Sequence, residues 1–141
     1  MKTDYAIYQI AFKILLNKKD NFLFLKSFNN FLDLPGGRAD NSEGKTAIKK
    51  IISREIREEL GPKLKYKLGE PLFQYRRYFK PRKIYILITV YRADYLSGDI
   101  KISSEHSNYK WINPRKYKLN KNDFYNEEEY SAFKEYFKIF T

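Results

Sequence analysis

The chain contains no cysteine, which excludes disulfides and thiolate metal sites. No apolar run approaches the roughly 20 residues that a membrane span needs. Internal repeats, linkers and low-complexity segments are missing as well. Met1 to Asp4 lead straight into a strand-like segment without a signal-peptide pattern, so the expected compartment is the cytoplasm. Acidic residues are scarce: 17 Asp and Glu face 28 Lys and Arg, a formal net charge of +11. That balance favours an anionic partner. Lys outnumbers Arg 20 to 8 and Ile, Asn, Tyr and Phe are abundant, so AT-rich codon usage is a competing source for much of the charge. What is present fits a folded protein: 43% hydrophobic and 32% charged residues over 141 positions suit one domain, residues 1–141, with its own core.

Tyr5 to Leu16 reads as a strand, Asn17 to Asn21 as a polar turn and Phe22 to Leu25 as a buried strand, together a hairpin. Phe31-Leu32-Asp33-Leu34 leads into the sharp bend Pro35-Gly36-Gly37. A loop from Arg38 to Lys45 precedes a helix that starts at Lys45 or Thr46 and runs to Leu60. Gly61 is its expected C-cap, and Pro62 prevents continuation. Phe73 to Phe79, Ile84 to Tyr91, Ile100 with Ile102, and Tyr109 to Ile112 are expected strands, with a turn at Lys80-Pro81-Arg82. Ile84 to Tyr91 is apolar on both faces, as a central strand is. A last helix begins near Asn126, carries Tyr130, Phe133, Tyr136 and Phe137 on one side, and places Glu127, Glu128 and Glu129 at its N-terminus, where negative charge is favourable. Strands around one central and one terminal helix predict an α+β chain: a mixed central sheet in an α/β/α sandwich.

The central helix carries the most informative pattern. Ile48, Ile51 and Ile52 set an apolar stripe, and Glu55, Glu58 and Glu59 continue it at steps of three and four residues. Three carboxylates at a helix C-terminus oppose the helix dipole, and Glu55 and Glu59 repel at i,i+4. A local conflict of this kind marks a functional site. A hard cation resolves it, because Mg²⁺ takes oxygen ligands. The alternative is a solvated helix end with Arg54 and Arg57 paired to the glutamates.

Gly37, Glu43 and Arg54-Glu55-Ile56-Arg57-Glu58-Glu59-Leu60-Gly61, entered through Leu34-Pro35-Gly36-Gly37, resemble the Nudix box. Its pattern is Gly, five residues, Glu, seven residues, then Arg-Glu-aliphatic-any-Glu-Glu-any-Gly-aliphatic. Ser103-Ser104-Glu105-His106 with Trp111 resembles a downstream feature of the same superfamily. Two departures stand out. Sixteen residues, Arg38 to Ser53, separate the glycine from the arginine where the family has thirteen, and Pro62 replaces the last aliphatic. A three-residue loop insertion explains the first. Counted from Gly37, Glu43 falls on the first glutamate of the box; counted back from Arg54, Thr46 does.

The resemblance implies a Nudix-type fold and a pyrophosphohydrolase using Mg²⁺ or Mn²⁺. Glu58 and Glu59 would be the most direct metal ligands, joined by Glu55 and the Gly37 carbonyl, while Arg54 orients the glutamates. Glu43 reads equally as a metal ligand or as an exposed loop residue. Glu105 is a candidate general base by analogy with relatives that use a late-loop glutamate, or an exposed loop residue. His106, the only histidine, is either a titrating group or inert. Arg38, Arg77 and Tyr75 are candidate substrate contacts, since interleaved cations and aromatics hold phosphate and stack bases. The competing reading of Tyr75 to Lys80 is a strand edge with solvated arginines. Trp111 reads as core or sheet edge. The expected substrate is a nucleotide-like phosphorylated small molecule, a nucleoside diphosphate linked to another moiety. The alternatives are an RNA 5′-end pyrophosphohydrolase, motivated by the charge, and a non-catalytic nucleotide- or RNA-binding protein of the same fold.

Overall fold

The computed structural model describes residues 4–140; Met1–Thr3, read above as the approach to the first strand, and Thr141 lie outside the described residues. Strand β1 (Tyr8–Lys18) is buried without a break from Ala11 to Leu16, because it is central in the sheet and covered on both faces. Alternation along it feeds two cores. Phe12, Ile14 and Leu16 enter one, and Ala11 and Leu15 enter the other. Its neighbour β6 (Ile84–Ser97) runs parallel, in register from Tyr8 opposite Tyr85 to Asn17 opposite Asp94. The other edge of β1 is shared in succession. β2 (Asn21–Lys26) pairs with it beside the hairpin turn, where Lys19 takes φ 58°. β4 (Gly36–Arg38) pairs with Ala11, Phe12 and Lys13. β2 also carries β3 (Leu32–Asp33) and β7 (Asn108–Ile112). β5 (Lys65–Phe79) forms the far edge beside β6, in a seven-stranded mixed sheet of order β3-β2-β1-β6-β5.

Helix α1 (Ile48–Leu60) covers one face and α2 (Glu127–Phe137) the other, so the expected α/β/α sandwich is the observed fold. Boundaries differ from the sequence reading in several places: β6 runs on past Tyr91 to Ser97, and β2 and β7 are longer by one or two residues. The first strand spans Tyr8–Lys18. α1 begins at Ile48, because Thr46 N–H still donates to Glu43 O at 3.0 Å in the preceding 3₁₀ turn, Asn41–Glu43. β5 extends back to Lys65 through bulges around Gly69 and Pro71, tolerated because the strand is an edge. Finally, Ile100 and Ile102 form no strand. Their segment hydrogen-bonds to the end of α1 instead: Lys101 N–H to Leu60 O at 2.9 Å and Ser103 N–H to Glu59 O at 3.1 Å. Those carbonyls have no partner within the helix. Gly61, at φ 89°, turns the chain out of α1 with its N–H on Arg57 O.

α2 starts where expected. Asn126 Oδ1 accepts from Glu129 N–H at 2.8 Å, a side-chain N-cap. The same end of α2 occupies the open edge of β5: Glu128 accepts from Arg76 N–H, and the Asn126 amide donates to Arg76 O. Beneath α2 the core is aromatic. Phe133 is 1% exposed, with ring centroids of Phe124, Phe73 and Phe24 at 5.0, 5.1 and 5.6 Å. Phe133→Ala therefore costs about 3–5 kcal/mol, read as a lower midpoint in urea unfolding. No helix among the described residues is long and apolar enough to cross a membrane.

Candidate active site

A cleft of about 780 Å³ opens where the C-terminal half of α1, the Gly36–Gly37 bend, the 103–106 loop and β5 meet. Glu55, Glu58 and Glu59 all line it, beside both glycines. The helix face that delivers them is not quite the predicted stripe. Its buried side is Ile51, Ile52, Glu55, Ile56, Glu59 and Leu60, whereas Ile48 and Glu58 sit at the exposed margin. Glu55 and Glu59 thus occupy positions that apolar side chains fill one turn earlier.

Gly37 is required by this geometry. A Cβ there would collide with the Glu55 carboxylate, so the bend leaves room for Glu55 to lie against the backbone. Burial pushes the Glu55 carboxyl upward in pKa, Arg54 counteracts this, and Glu58 and Glu59 push it further up. Arg54 is the hub. Its Nη1 lies 3.0 Å from Glu55 Oε1 and 3.3 Å from each Glu58 oxygen. Its Nε and Nη2 grip Glu43 at 2.9 and 2.6 Å, and its pKa rises, chiefly through that bond.

Glu43 therefore does not join the other three glutamates. Arg54 takes both of its oxygens, and the side chain lines a neighbouring depression rather than the cleft. The bond to Arg54 holds its carboxyl below the usual range. The inserted loop is folded into the 3₁₀ turn that carries this contact. Tyr75 is also displaced from its expected role. It is 2% exposed, buried against Phe73 and Phe133, and its ring is closed to a ligand. No described residue hydrogen-bonds its Oη, and burial holds the phenol well above pKa 10.0. Tyr75→Phe should raise stability by about 1 kcal/mol at neutral pH, because a buried unpaired hydroxyl is removed. The raised folded pKa also sets a sign: the Tyr75 contribution is present in full below the unfolded value near 10 and lost as pH climbs above it. The substitution should thus move alkaline unfolding to higher pH, followed by circular dichroism.

Arg38, Arg77, Glu105 and His106 do line the cleft. Arg38 is at the rim, its guanidinium 4.3 Å over the Phe79 ring and 3.0 Å from Gln9 Oε1. Glu105 is exposed on its loop. Arg77 is spoken for: Nη2 and Nε grip Glu129 at 2.7 and 3.0 Å, and Nη2 reaches Asp33 Oδ1 at 3.0 Å. Trp111 packs at the α1-side core.

Around Asp33 runs a chain of alternating charge that the motif reading missed. Lys13 Nζ lies 3.0 Å from Asp33 Oδ1, and His106 Nε2 lies 3.7 Å from Oδ2. His106 Nδ1 faces Glu59 Oε2 at 3.4 Å. Burial opposes the Asp33 charge, but Lys13 and Arg77 hold its carboxyl well below the ordinary value. Asp33 and then Glu59 push His106 up to about 9. Burial pushes Glu129 upward against the pull of Arg77. One sequence signal was available: Lys13 within Phe12-Lys13-Ile14 and Asp33 between two leucines are charges inside buried runs, which demand partners.

The donor set suits a hard divalent cation: carboxylate and carbonyl oxygens, no thiolate, and two buried glutamates, one of them in the space that Gly37 leaves. In the arrangement described, Arg54 stands between Glu55 and Glu58, and no three His, Asp or Glu side chains among the described residues close on one point.

An acidic helix over a glycine bend, beside the central strands of a layered mixed sheet, fits a hydrolase of phosphoanhydrides. The NUDIX domain model matches residues 8–133; the chain belongs to that family and is a Nudix-type pyrophosphohydrolase. Among solved structures, the MutT protein of Methanosarcina mazei Go1 superposes with TM-score 0.69 at 24% identity over 98% of this chain and 96% of its own. An ADP-ribose pyrophosphatase from Streptococcus suis gives 0.66 at 15% identity over 94% and 92%. A UDP-X diphosphatase gives 0.67 at 14% identity over 99% and 67%. No curated protein matches the sequence.

Proposed function

We propose that the protein cleaves the diphosphate of a nucleoside diphosphate linked to another moiety, with Mg²⁺ or Mn²⁺ held at the cleft. The observation that carries this reading is the convergence of Glu55, Glu58 and Glu59 on one cleft with the Gly36–Gly37 bend. A bound divalent ion supplies charge neutralisation at the phosphate oxygens and a more acidic water. Glu58, Glu59, Glu55 and the Gly37 carbonyl would hold it. Arg54 fixes the carboxylates of Glu55 and Glu58. Glu105, exposed on its loop, would accept a proton from water, and Arg38 would meet a phosphate. Tyr78, Phe79, Ile86 and Tyr125 also line the cleft, giving an apolar wall for a nucleoside. The names of two structural neighbours, an ADP-ribose pyrophosphatase and a UDP-X diphosphatase, agree with a linked nucleoside diphosphate.

The net charge of +11 favours a second reading, removal of pyrophosphate from an RNA 5′ end. One screen separates the two: phosphatase-coupled phosphate release, with Mg²⁺, Mn²⁺ or EDTA, over ADP-ribose, nucleotide sugars, nucleoside triphosphates, dinucleoside polyphosphates, and triphosphorylated and capped RNA. The expected result is metal-dependent release of a nucleoside monophosphate from the linked diphosphates. Preference for triphosphorylated RNA selects the second reading. Turnover that persists in EDTA overturns the metal assignment.

A further inference from the structure

We propose that His106 is a positioning residue that sets the orientation of Glu59 for metal binding, and that Asp33 holds His106 in place; this rests on the metal reading above. Three observations converge. The two oxygens of Glu59 have different surroundings. Oε2 accepts from Ser103 Oγ at 3.2 Å and faces His106 Nδ1 at 3.4 Å. No described residue hydrogen-bonds Oε1, which leaves it for the cleft.

His106 has little freedom. Its side chain is 8% exposed and lies between two carboxylates that are each 7% exposed. Asp33, on the far side of the ring, is itself fixed. Lys13 and Arg77 each approach Oδ1 at 3.0 Å, Leu34 N–H donates to Oδ1 at 2.8 Å, and Glu129, fully buried at the start of α2, anchors Arg77. The imidazole is thus confined between a fixed carboxylate and the Glu59 side chain, within ion-pair distance of both. An outer partner that orients a ligand is worth about 10–100-fold in metal affinity.

The backbone supports the same assignment. The 101–103 segment is tied to α1 through the carbonyls of Leu60 and Glu59. Main chain, Ser103 hydroxyl and His106 ring therefore all bear on one residue, Glu59.

The test is Mn²⁺ binding without substrate, by calorimetry and by the loss of the free-Mn²⁺ electron paramagnetic signal, on wild type, His106→Asn, His106→Gln and His106→Ala, each checked by thermal unfolding. The Asn amide nitrogen stands where Nδ1 stands, facing Glu59. The Gln amide nitrogen stands where Nε2 stands, toward Asp33. Positioning predicts that Asn retains most of the wild-type affinity while Gln and Ala lose about 10–100-fold. A purely packing role predicts the opposite order, because Gln replaces more of the ring volume. Wild-type affinity in all folded variants, or Gln outperforming Asn, overturns the proposal. If Ala does not fold, the Asn and Gln pair decides alone. A wild type that binds no Mn²⁺ overturns the metal reading itself, an outcome distinct from equal binding across the series.

Discussion

Glu58→Gln is expected to lower turnover by on the order of 10²–10³-fold, the scale of losing one preorganised electrostatic partner of a transition state, while the fold is unaffected. Glu58 can separate the two effects because its side chain is 59% exposed, against 11% for Glu55 and 7% for Glu59. Its one ionic contact among the described residues is the i,i+4 pair with Arg54 at 3.3 Å, worth about 0.3–0.5 kcal/mol at an exposed position. The amide keeps the shape and removes the charge. Steady-state kinetics at several Mg²⁺ concentrations, beside a thermal melt, give the check. A melting temperature within about 2 °C of wild type together with the kinetic loss is the expected pair. Unchanged turnover on a substrate that the wild type hydrolyses would reject the role of Glu58. Equivalent substitutions at Glu55 and Glu59 cannot be read so cleanly, since both lie in the buried face of α1.

How much of this was legible beforehand depends on whether the information is local. The acidic helix and the glycine bend were, because helical spacing and a short motif are properties of neighbouring residues. Ile51, Ile52 and Ile56 face the sheet as the period requires, and Gly37, Glu55, Glu58 and Glu59 fall at the cleft. The segment from Lys65 to Leu72 was missed because Gly69 and Pro71 look like loop punctuation. Their effect is confined to bulges, since the strand has an open edge and needs no hydrogen bond there. Ile100 and Ile102 misled for a different reason. They do pack against the α1-side core, but their backbone partners are helix-end carbonyls, and side-chain pattern alone does not distinguish that from a strand. Tyr75 shows the limit of alternation. Period two correctly put it on one face with Arg77, yet only the packing of α2 makes that face interior. The chain of charges from Glu129 to Glu59 joins residues from β1, β3, β5, α1, α2 and the 103–106 loop; no spacing rule connects such distant positions. The family resemblance located the glutamates that line the cleft and Arg54 beside them, but not Lys13, Asp33 or Glu129.

The two adjacent glycines should separate fold from chemistry. At Gly36, φ is 135° and a Cβ would strike the Phe12 carbonyl and lie 2.6 Å from Lys13 Cα. Both obstacles are backbone of the central strand and cannot move aside. Gly36→Ala is thus expected to cost about 2–4 kcal/mol, combining side-chain strain at positive φ with overpacking, and to lower the melting temperature by roughly 5–15 °C. At Gly37 the obstacle is different. The added Cβ meets the Glu55 carboxylate, the far end of a flexible side chain, which can swing away at small cost to the fold. Doing so pulls Glu55 from Arg54 and from its place beside the bend. A displacement on the order of 1 Å in a reacting assembly costs about 10²-fold, so Gly37→Ala should melt near wild type yet lose about that much kcat. If both variants lose stability equally and the folded fraction of Gly37→Ala keeps full turnover, the close approach of Glu55 to the bend serves packing rather than catalysis. Loss of turnover in a fully folded Gly37→Ala instead ties the missing side chain at that position to the placement of a carboxylate.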